Sequence, residues 1–498
     1  MFLVGAMLHF VLLTVSAQQI LSLDSCRRLA LDNNKQLRVA RLKQEAAANT
    51  HKAVATKFLP KVEALGGYEF TSREISILSG QQKTTLSNIG NIVVGQMKNN
   101  VTPIMTELAQ GAALSSQQAA ALGNVAPQIG ASLAHSLNEV GQHVRNAFNT
   151  DTRHVFMGAV MVRQPIYMGG GLIAANRLAA LGEQMAAENL EGQQQTMIYD
   201  VDRAYWAVVS LRQKQRLARQ YLTLVEQLDS NVYKMIANGV ATRADGLQVD
   251  VKVNEAEMTL TQVNNGESLA RMCLCQLCGL PIDSEVKLSD EDEIPTVLSY
   301  VDDAFNLETA WENRPELKML RTMVGMSEQK TRMERAAFLP QVALTAGYLT
   351  TNPNVYDGYE RRFAGAWNVG VVMRIPVWNW MEGSYKVRAS RATTAMAEIE
   401  LSDIKEKVEL QLNQSSYKLT EAVKRMKVAE KNVQRAEENL RCANVGFQEG
   451  VMQSTDVMAA QTAWLNARTQ QIDAIIDKKL AQTDLQKAMG TLQLQQGY

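Results

Sequence analysis

Proline is scarce in this sequence, and neither sign of charge is in excess. Only 10 of 498 residues are proline, and 51 Lys+Arg are matched by 51 Asp+Glu. At about 2%, proline is well below the roughly 5% usual in proteins. None falls between Pro165 and Pro281 or after Pro376, leaving tracts of 115 and 122 residues. Because proline removes a helix donor and clashes with the preceding turn, such tracts can hold helices far longer than the average of roughly 11 residues. The charge balance excludes a polyanion-binding surface, so no nucleic-acid partner is expected. Long apolar runs are missing as well: after the first 17 residues, none reaches the roughly 20 needed for a transmembrane helix. A composition of 46% hydrophobic and 20% charged residues still excludes disorder.

Motifs that carry chemistry are also absent. The histidines (His9, His51, His135, His143, His154) share no ligand spacing, and no nucleophile motif is present. No enzyme, catalytic residue or cofactor is therefore expected. Gly169-Gly170-Gly171 lacks the Lys-Ser/Thr of a phosphate loop and reads as a turn. The run Asp290 to Glu293 lacks the ligand order of an EF-hand and reads as solvated linker. Five cysteines include the cluster Cys273, Cys275 and Cys278, with no fourth metal ligand nearby. Packing as small hydrophobes is the expectation, and any further role of the three stays open.

Residues 1–17 are uncharged, rich in Leu, Val and Phe, and end in Val15-Ser16-Ala17 before Gln18. They read as a cleaved secretory signal peptide, although no Lys or Arg precedes the apolar run, and a short N-terminal anchor is the alternative. Asp24-Ser25 before Cys26 is not the small, apolar context of a lipid-modified cysteine.

Self-similarity organises the rest. Phe58-Leu59-Pro60-Lys61-Val62 with Gly67-Tyr68 recurs as Phe338-Leu339-Pro340-Gln341-Val342 with Gly347-Tyr348, an offset of 280 that also relates Ala30 to Ala310 and Leu37 to Leu317. Further on, Arg163-Gln164-Pro165 matches Arg374-Ile375-Pro376 at an offset of 211, which persists through Gly239/Gly450 and Asp245/Asp456 to Gly279/Gly490. The chain is thus two copies of one unit: a first repeat over 18–290, a linker over 291–302 and a second repeat over 303–498. The change of offset, 280 − 211 = 69 residues, marks an insertion in the first copy, a long surface loop at about 75–150, partly helical and of no assigned role.

Each copy reads as a helix, two extended segments, a very long helix and a returning helix. Val62, Ala64, Gly66, Tyr68 and Phe70 share a face opposite Lys61, Glu63, Gly67 and Glu69. Trp367, Val369, Val371 and Met373 likewise oppose Asn368, Gly370 and Arg374. Apolar-out, polar-in alternation with interfacial aromatics marks a transmembrane β-strand, although a soluble sandwich strand alternates too. Four strands cannot close a barrel, and open edges are not tolerated in lipid, so an oligomer is required; two copies would give 8 strands and three would give 12. The long helices are expected from about Gly171 to Asn238 and Glu382 to Glu449. In the first, Met197, Val201, Ala204, Val208, Leu211, Ala218, Leu222, Val225, Val232 and Ile236 form a coiled-coil seam. A first helix over about Leu29 to Lys57 and a returning helix over about Asp245 to Gly279 would stack end to end beside it.

Together, the Phe-Leu-Pro pair with its strands, the Gln164-to-Gly171 and Ile375-to-Trp378 openings of the long helices, the Gly-x5-Asp tips and Leu277-Cys278-Gly279-Leu280-Pro281 resemble the TolC family of outer-membrane efflux proteins. The resemblance covers nearly all of the chain except the insertion. It implies a mainly α fold with a β-barrel part, in which a homotrimer assembles a 12-strand barrel in outer-membrane lipid above an α-helical periplasmic tunnel. It also implies a periplasmic adaptor and an inner-membrane transporter as partners, in multidrug efflux or type I secretion. Asp245 and Asp456 match the acidic gate positions at the periplasmic tips, where three-fold symmetry would crowd like charges and favour cations; a helix N-terminal acid favoured by the dipole is the plainer reading. Phe447, Met452 and Ala459 depart from the family's polar lock, and Arg243 could supply a different ionic contact. Arg163 and Arg374, on the polar side of their strands, would face the barrel lumen. A periplasmic coiled-coil scaffold or adaptor without channel activity is the alternative that shares the long helices.

Overall fold

A computed structural model describes residues 19–72, 78–99, 116–147, 153–293, 306–357 and 360–493. The leader at 1–17 and most of the linker at 291–302 lie outside these residues. In chain order the elements of the first repeat are β1 (Gln19–Leu21), α1 (Leu23–Asn33), α2 (Lys35–Ala55), β2 (Lys61–Phe70), α3 (Gly80–Ser87), α4 (Ser116–Ala147), β3 (His154–Met168), α5 (Gly171–Ala237), α6 (Arg243–Cys278) and β4 (Val286–Leu288). The second repeat contributes α7 (Leu307–Asn313), α8 (Pro315–Ala336), β5 (Gln341–Asn352), β6 (Ala364–Arg374), α9 (Glu382–Gln448) and α10 (Ser454–Ala488).

The residues fall into two compact units that do not follow the repeat boundary. One holds the helical segments up to Ala55, from Ile173 to Arg335 and from Trp380 onward; the other holds Thr56–Leu172 and Ala336–Asn379. Each repeat therefore contributes to both.

In the helical unit, α5 and α9 are 67 residues each, within one residue of their expected ends, and by length each spans roughly 100 Å. The single first helix is corrected to two. Asn34 takes an extended conformation as C-cap of α1, its N–H reaching Ala30 O, while its Oδ1 accepts from Gln36 N at 2.8 Å to start α2. Asn34 also donates to Leu277 O at 3.0 Å, so the end of α6 abuts the α1/α2 junction. There Gly279 closes α6 at φ 73°, and a Cβ on it would lie 2.6 Å from that of Asn33. Its repeat partner Gly490 adopts φ 71° against Asn313 and Arg314, which reproduces the junction in the second copy. Only glycine meets both the left-handed backbone and the close approach.

Repeat-related residues also build the cores. Leu37, Met197, Val201 and Leu274 are buried in one cluster, and their counterparts Leu317, Val408, Leu412 and Leu485 in another. Every residue of the expected α5 seam is buried or half-buried. The first cluster also encloses Leu21, Val286 and Leu288 from a short parallel β1/β4 pair that periodicity did not reveal. Next to it Arg27 forms a bidentate pair with Asp202, at 2.7 and 2.6 Å, and Thr483 donates to the same carboxylate at 3.2 Å.

In the sheet unit, the four long strands form one sheet in the order β2-β3-β5-β6, antiparallel throughout. Within the inserted segment residues 89–99 are helical, and α3 and α4 pack against each other. A Cβ on Gly90 would collide with Ala134 O, and one on Gly141 with Leu86 O, so small residues let these backbones touch.

Candidate functional site at the sheet faces and helical tips

Antiparallel pairing places partner residues on one face. Tyr68 pairs with Phe156, Val160 with Tyr348, and Tyr348 with Trp367, while Val62, Val162, Ala346 and Val369 form the next apolar row. The opposite face carries Lys61 paired with Arg163, Glu63 with Met161, Gly347 with Asn368, and Gln341 with Arg374. Arg163 and Arg374 thus share the polar face, on β3 and β6 with β5 between them. On the apolar face, rings concentrate where β2 turns toward β3: Tyr68 and Phe156 centroids are 4.9 Å apart, Phe70 and His154 5.1 Å, and Phe156 and Phe363 6.3 Å. Ile166, Tyr167, Ile375 and Trp378 line the other end of the sheet. Trp367 is 77% exposed, and every residue of β2 is exposed, so among the described residues nothing covers this part of the apolar face. Both outer edges, β2 and β6, lack a strand partner among the described residues.

At the tips, Gly239 and Gly450 adopt φ 72° and 75° to reverse the chain into α6 and α10. Asp245 occupies the third position of α6, where its Oδ2 accepts from Thr242 N at 2.8 Å and Thr242 Oγ1 at 2.7 Å. These bonds, the hydroxyl's first, hold its carboxyl below the usual carboxylate range. Asp456 occupies the third position of α10 and its Oδ2 accepts from Gln453 N at 3.0 Å. Both acids are therefore third-position partners of capping boxes. Among the described residues no ion pair joins Arg243 to Asp245. Phe447 is buried in a core with Tyr221, Val225, Val249, Ala443 and Val457, so in this chain it packs the tip.

The structure adds an acidic pair that motif reasoning missed. Asp229 of α5 and Asp250 of α6 face each other, and Tyr233 Oη donates to Asp250 Oδ2 at 2.9 Å. Burial, then the charge of Asp250 and a hydrogen bond with it, push the Asp229 carboxyl up. Its seam position gave the signal: Asp229 lies four residues after Val225 and three before Val232, where an apolar residue is due. Cys275 and Cys278 are buried and Cys273 is exposed. Among the described residues no group of His, Cys, Asp and Glu is set to hold a metal, and no helix is long and apolar enough to cross a membrane.

A four-stranded sheet with one apolar and one polar face, in a chain with two helices of 67 residues, is a fold found in solved bacterial outer-membrane proteins. The outer membrane protein VceC of Vibrio cholerae shares it, with a TM-score of 0.69 at 14% identity, over 94% of this chain and 96% of that one. Residues 104–280 and 306–491 match the outer membrane efflux protein family, and the chain belongs to that family. It is 23% identical over 321 residues to the alkaline protease secretion protein AprF of Pseudomonas aeruginosa, covering 62% of this chain and 64% of that protein. It is 24% identical over 261 residues to the outer membrane efflux protein BepC of Brucella suis, covering 52% of this chain and 55% of that protein. The chain thus aligns with less than two thirds of the length of either relative.

Proposed function

We propose that the chain is one protomer of an outer-membrane channel-tunnel, a homotrimer that passively conducts cargo loaded by an inner-membrane transporter through a periplasmic adaptor. The observation that carries this reading is the open sheet: one aromatic-rimmed apolar face and two unpaired edges on the same four strands. In lipid the apolar face is matched and the edges are not, because an unpaired backbone group there costs several kcal/mol. Three copies supply 12 strands and leave no edge. Arg163 and Arg374 then line a wet lumen with Lys61 and Glu63.

The helices support the same assembly. In α9 the buried residues Val408, Leu412, Ser415, Ala422, Ala429, Val433, Leu440, Ala443 and Phe447 keep a strict heptad seam within the chain. A second row, Met396, Ile399, Leu410, Tyr417, Val428 and Val445, is exposed. A neighbouring copy would cover that row, as coiled-coil packing requires. Asp245 and Asp456 would then ring the narrow end, where their charges favour cations, with Arg243 and Phe447 beside them. Protease secretion by AprF and efflux by BepC both fit a conduit whose cargo is chosen by its transporter.

The test is to express the full chain, separate outer and inner membranes and periplasm, and insert the purified protein into planar bilayers. A heat-sensitive trimer in the outer membrane that conducts ions is expected. Recovery from the periplasm or inner membrane, or a trimer that opens no conductance, would overturn the proposal and favour a scaffold.

A further inference from the structure

Five thiols stand unpaired in the structure, and two of them are held against each other. Cys26, in the first turns of α1, and Cys278, the last residue of α6, are 252 residues apart in sequence and both 0% exposed. Cys278 Sγ donates to Cys26 O at 3.6 Å, and both side chains are buried in the same core cluster. Their closeness is set by backbone: Gly279 lets the end of α6 sit directly on Asn33, and Asn34 fastens it to Leu277 O.

The alternatives are poorer partners. Cys275 lies one turn before Cys278 and donates to Ser284 O at 3.8 Å. Residues three apart on a helix have Cβ atoms about 5–6 Å apart, whereas a disulfide needs about 3.5–4.5 Å, so the helix keeps Cys275 and Cys278 from bonding. Cys273 and Cys442 are exposed. The repeat counterparts of Cys26 and Cys278 are Asn306 and Met489, so the same junction in the second copy holds no thiol at all. Packing alone therefore does not require a thiol here.

We propose that Cys26 and Cys278 form a disulfide in the mature chain, a covalent tie between α1 and the end of α6 that only the first repeat possesses. The proposal rests on the outer-membrane reading for its compartment, since disulfides persist in the periplasm. The oxidant is a disulfide-carrying protein of that compartment. One chain thiol, as thiolate, attacks the carrier's S–S bond to give a mixed disulfide and a carrier thiol; the second displaces the carrier's other sulfur. Two protons and two electrons leave the chain, one S–S bond forms, and the carrier is reduced to a dithiol. The exchange takes place before α1 docks, because in the folded chain both sulfurs are sealed from any carrier. The hydrogen bond with Cys278 and burial also keep the Cys26 thiol protonated once it has docked.

The full chain is exported, recovered from outer membranes, quenched in acid, denatured and alkylated with a maleimide polyethylene glycol before and after reduction. Two of the five thiols are expected to be shielded until reductant is added, with Cys26 and Cys278 linked in the non-reduced peptide map. Cys26→Ala keeps a small apolar side chain and should leave all remaining thiols reactive without reductant, whereas Cys275→Ala should leave the link intact. Five reactive thiols in the outer-membrane chain, or a link to Cys275, would overturn the proposal while leaving the channel reading standing. If the chain is absent from the outer membrane, the channel reading falls. The pairing is then decided by refolding the full chain in glutathione redox buffer, where failure to link Cys26 to Cys278 overturns it.

Discussion

Asp456 does two things that can be separated. Its oxygen caps α10 by accepting from Gln453 N, and its charge would act on ions at the tip. Asp456→Asn keeps an acceptor oxygen and removes the charge. In a planar bilayer the cation-to-anion permeability ratio should fall about threefold, as about 0.6 kcal/mol per exposed charge interaction gives; an unchanged ratio would reject the charge as a filter. Asp229 gives a pH prediction. Its carboxyl is raised in the folded chain, so its contribution to tip stability is present below the unfolded carboxylate value of about 3.9 and is lost as pH rises through the folded value. Asp229→Asn should therefore stabilise the α5/α6 contact more at about pH 7 than at about pH 3, by less than about 1 kcal/mol because the pair is partly solvated. Amide exchange at residues 229–250, compared between variant and wild type at each pH, measures this; a difference that stays flat with pH would refute it. The sequence marked Asp245 and Asp456 as acids at helix N-termini, but that they bond the backbone N–H of Thr242 and Gln453 follows only from the distances.

The long helices were the most legible elements, because 67 residues without proline and with a seam at steps of three and four admit little else. The short ones were less so. One asparagine splits α1 from α2, and one three-residue strand on each side builds β1/β4; neither leaves a periodic trace. The pair Arg27–Asp202 ties α1 to α5, with Thr483 of α10 on the same carboxylate, which is fully buried. Burial opposes the charge of Arg27, but the bonds to Asp202 outweigh it and hold the guanidinium above its ordinary value. Removing one partner of such a pair leaves the other charge buried and uncompensated. Asp202→Ala should cost about 3–5 kcal/mol, read as a lower denaturant midpoint of the helical signal, and Arg27→Leu combined with it should restore part of the loss. A single variant with an unchanged midpoint would show the pair to be idle.

At the scale of the whole molecule, the two sheet faces make opposite predictions from adjacent positions of β6. Val369 is on the apolar face and Asn368 on the polar one. Val369→Arg should reduce trimer assembly into outer-membrane vesicles, since arginine at the lipid face near the bilayer midplane costs about 2–4 kcal/mol per strand. Asn368→Arg should assemble normally, and equal behaviour of the two would mean that the apolar face does not meet lipid. The sequence by itself determined the doubled unit, the length of its helices and the alternation of its strands, because repeats, proline spacing and side-chain period are properties of the order of residues. Only the tertiary structure decided the order β2-β3-β5-β6 and its register, that Phe447 is core, that Asp229 meets Asp250, and that Cys26 meets Cys278 across 252 residues. Such contacts are made by residues far apart in the chain, and nothing in local periodicity records which distant partner closes them.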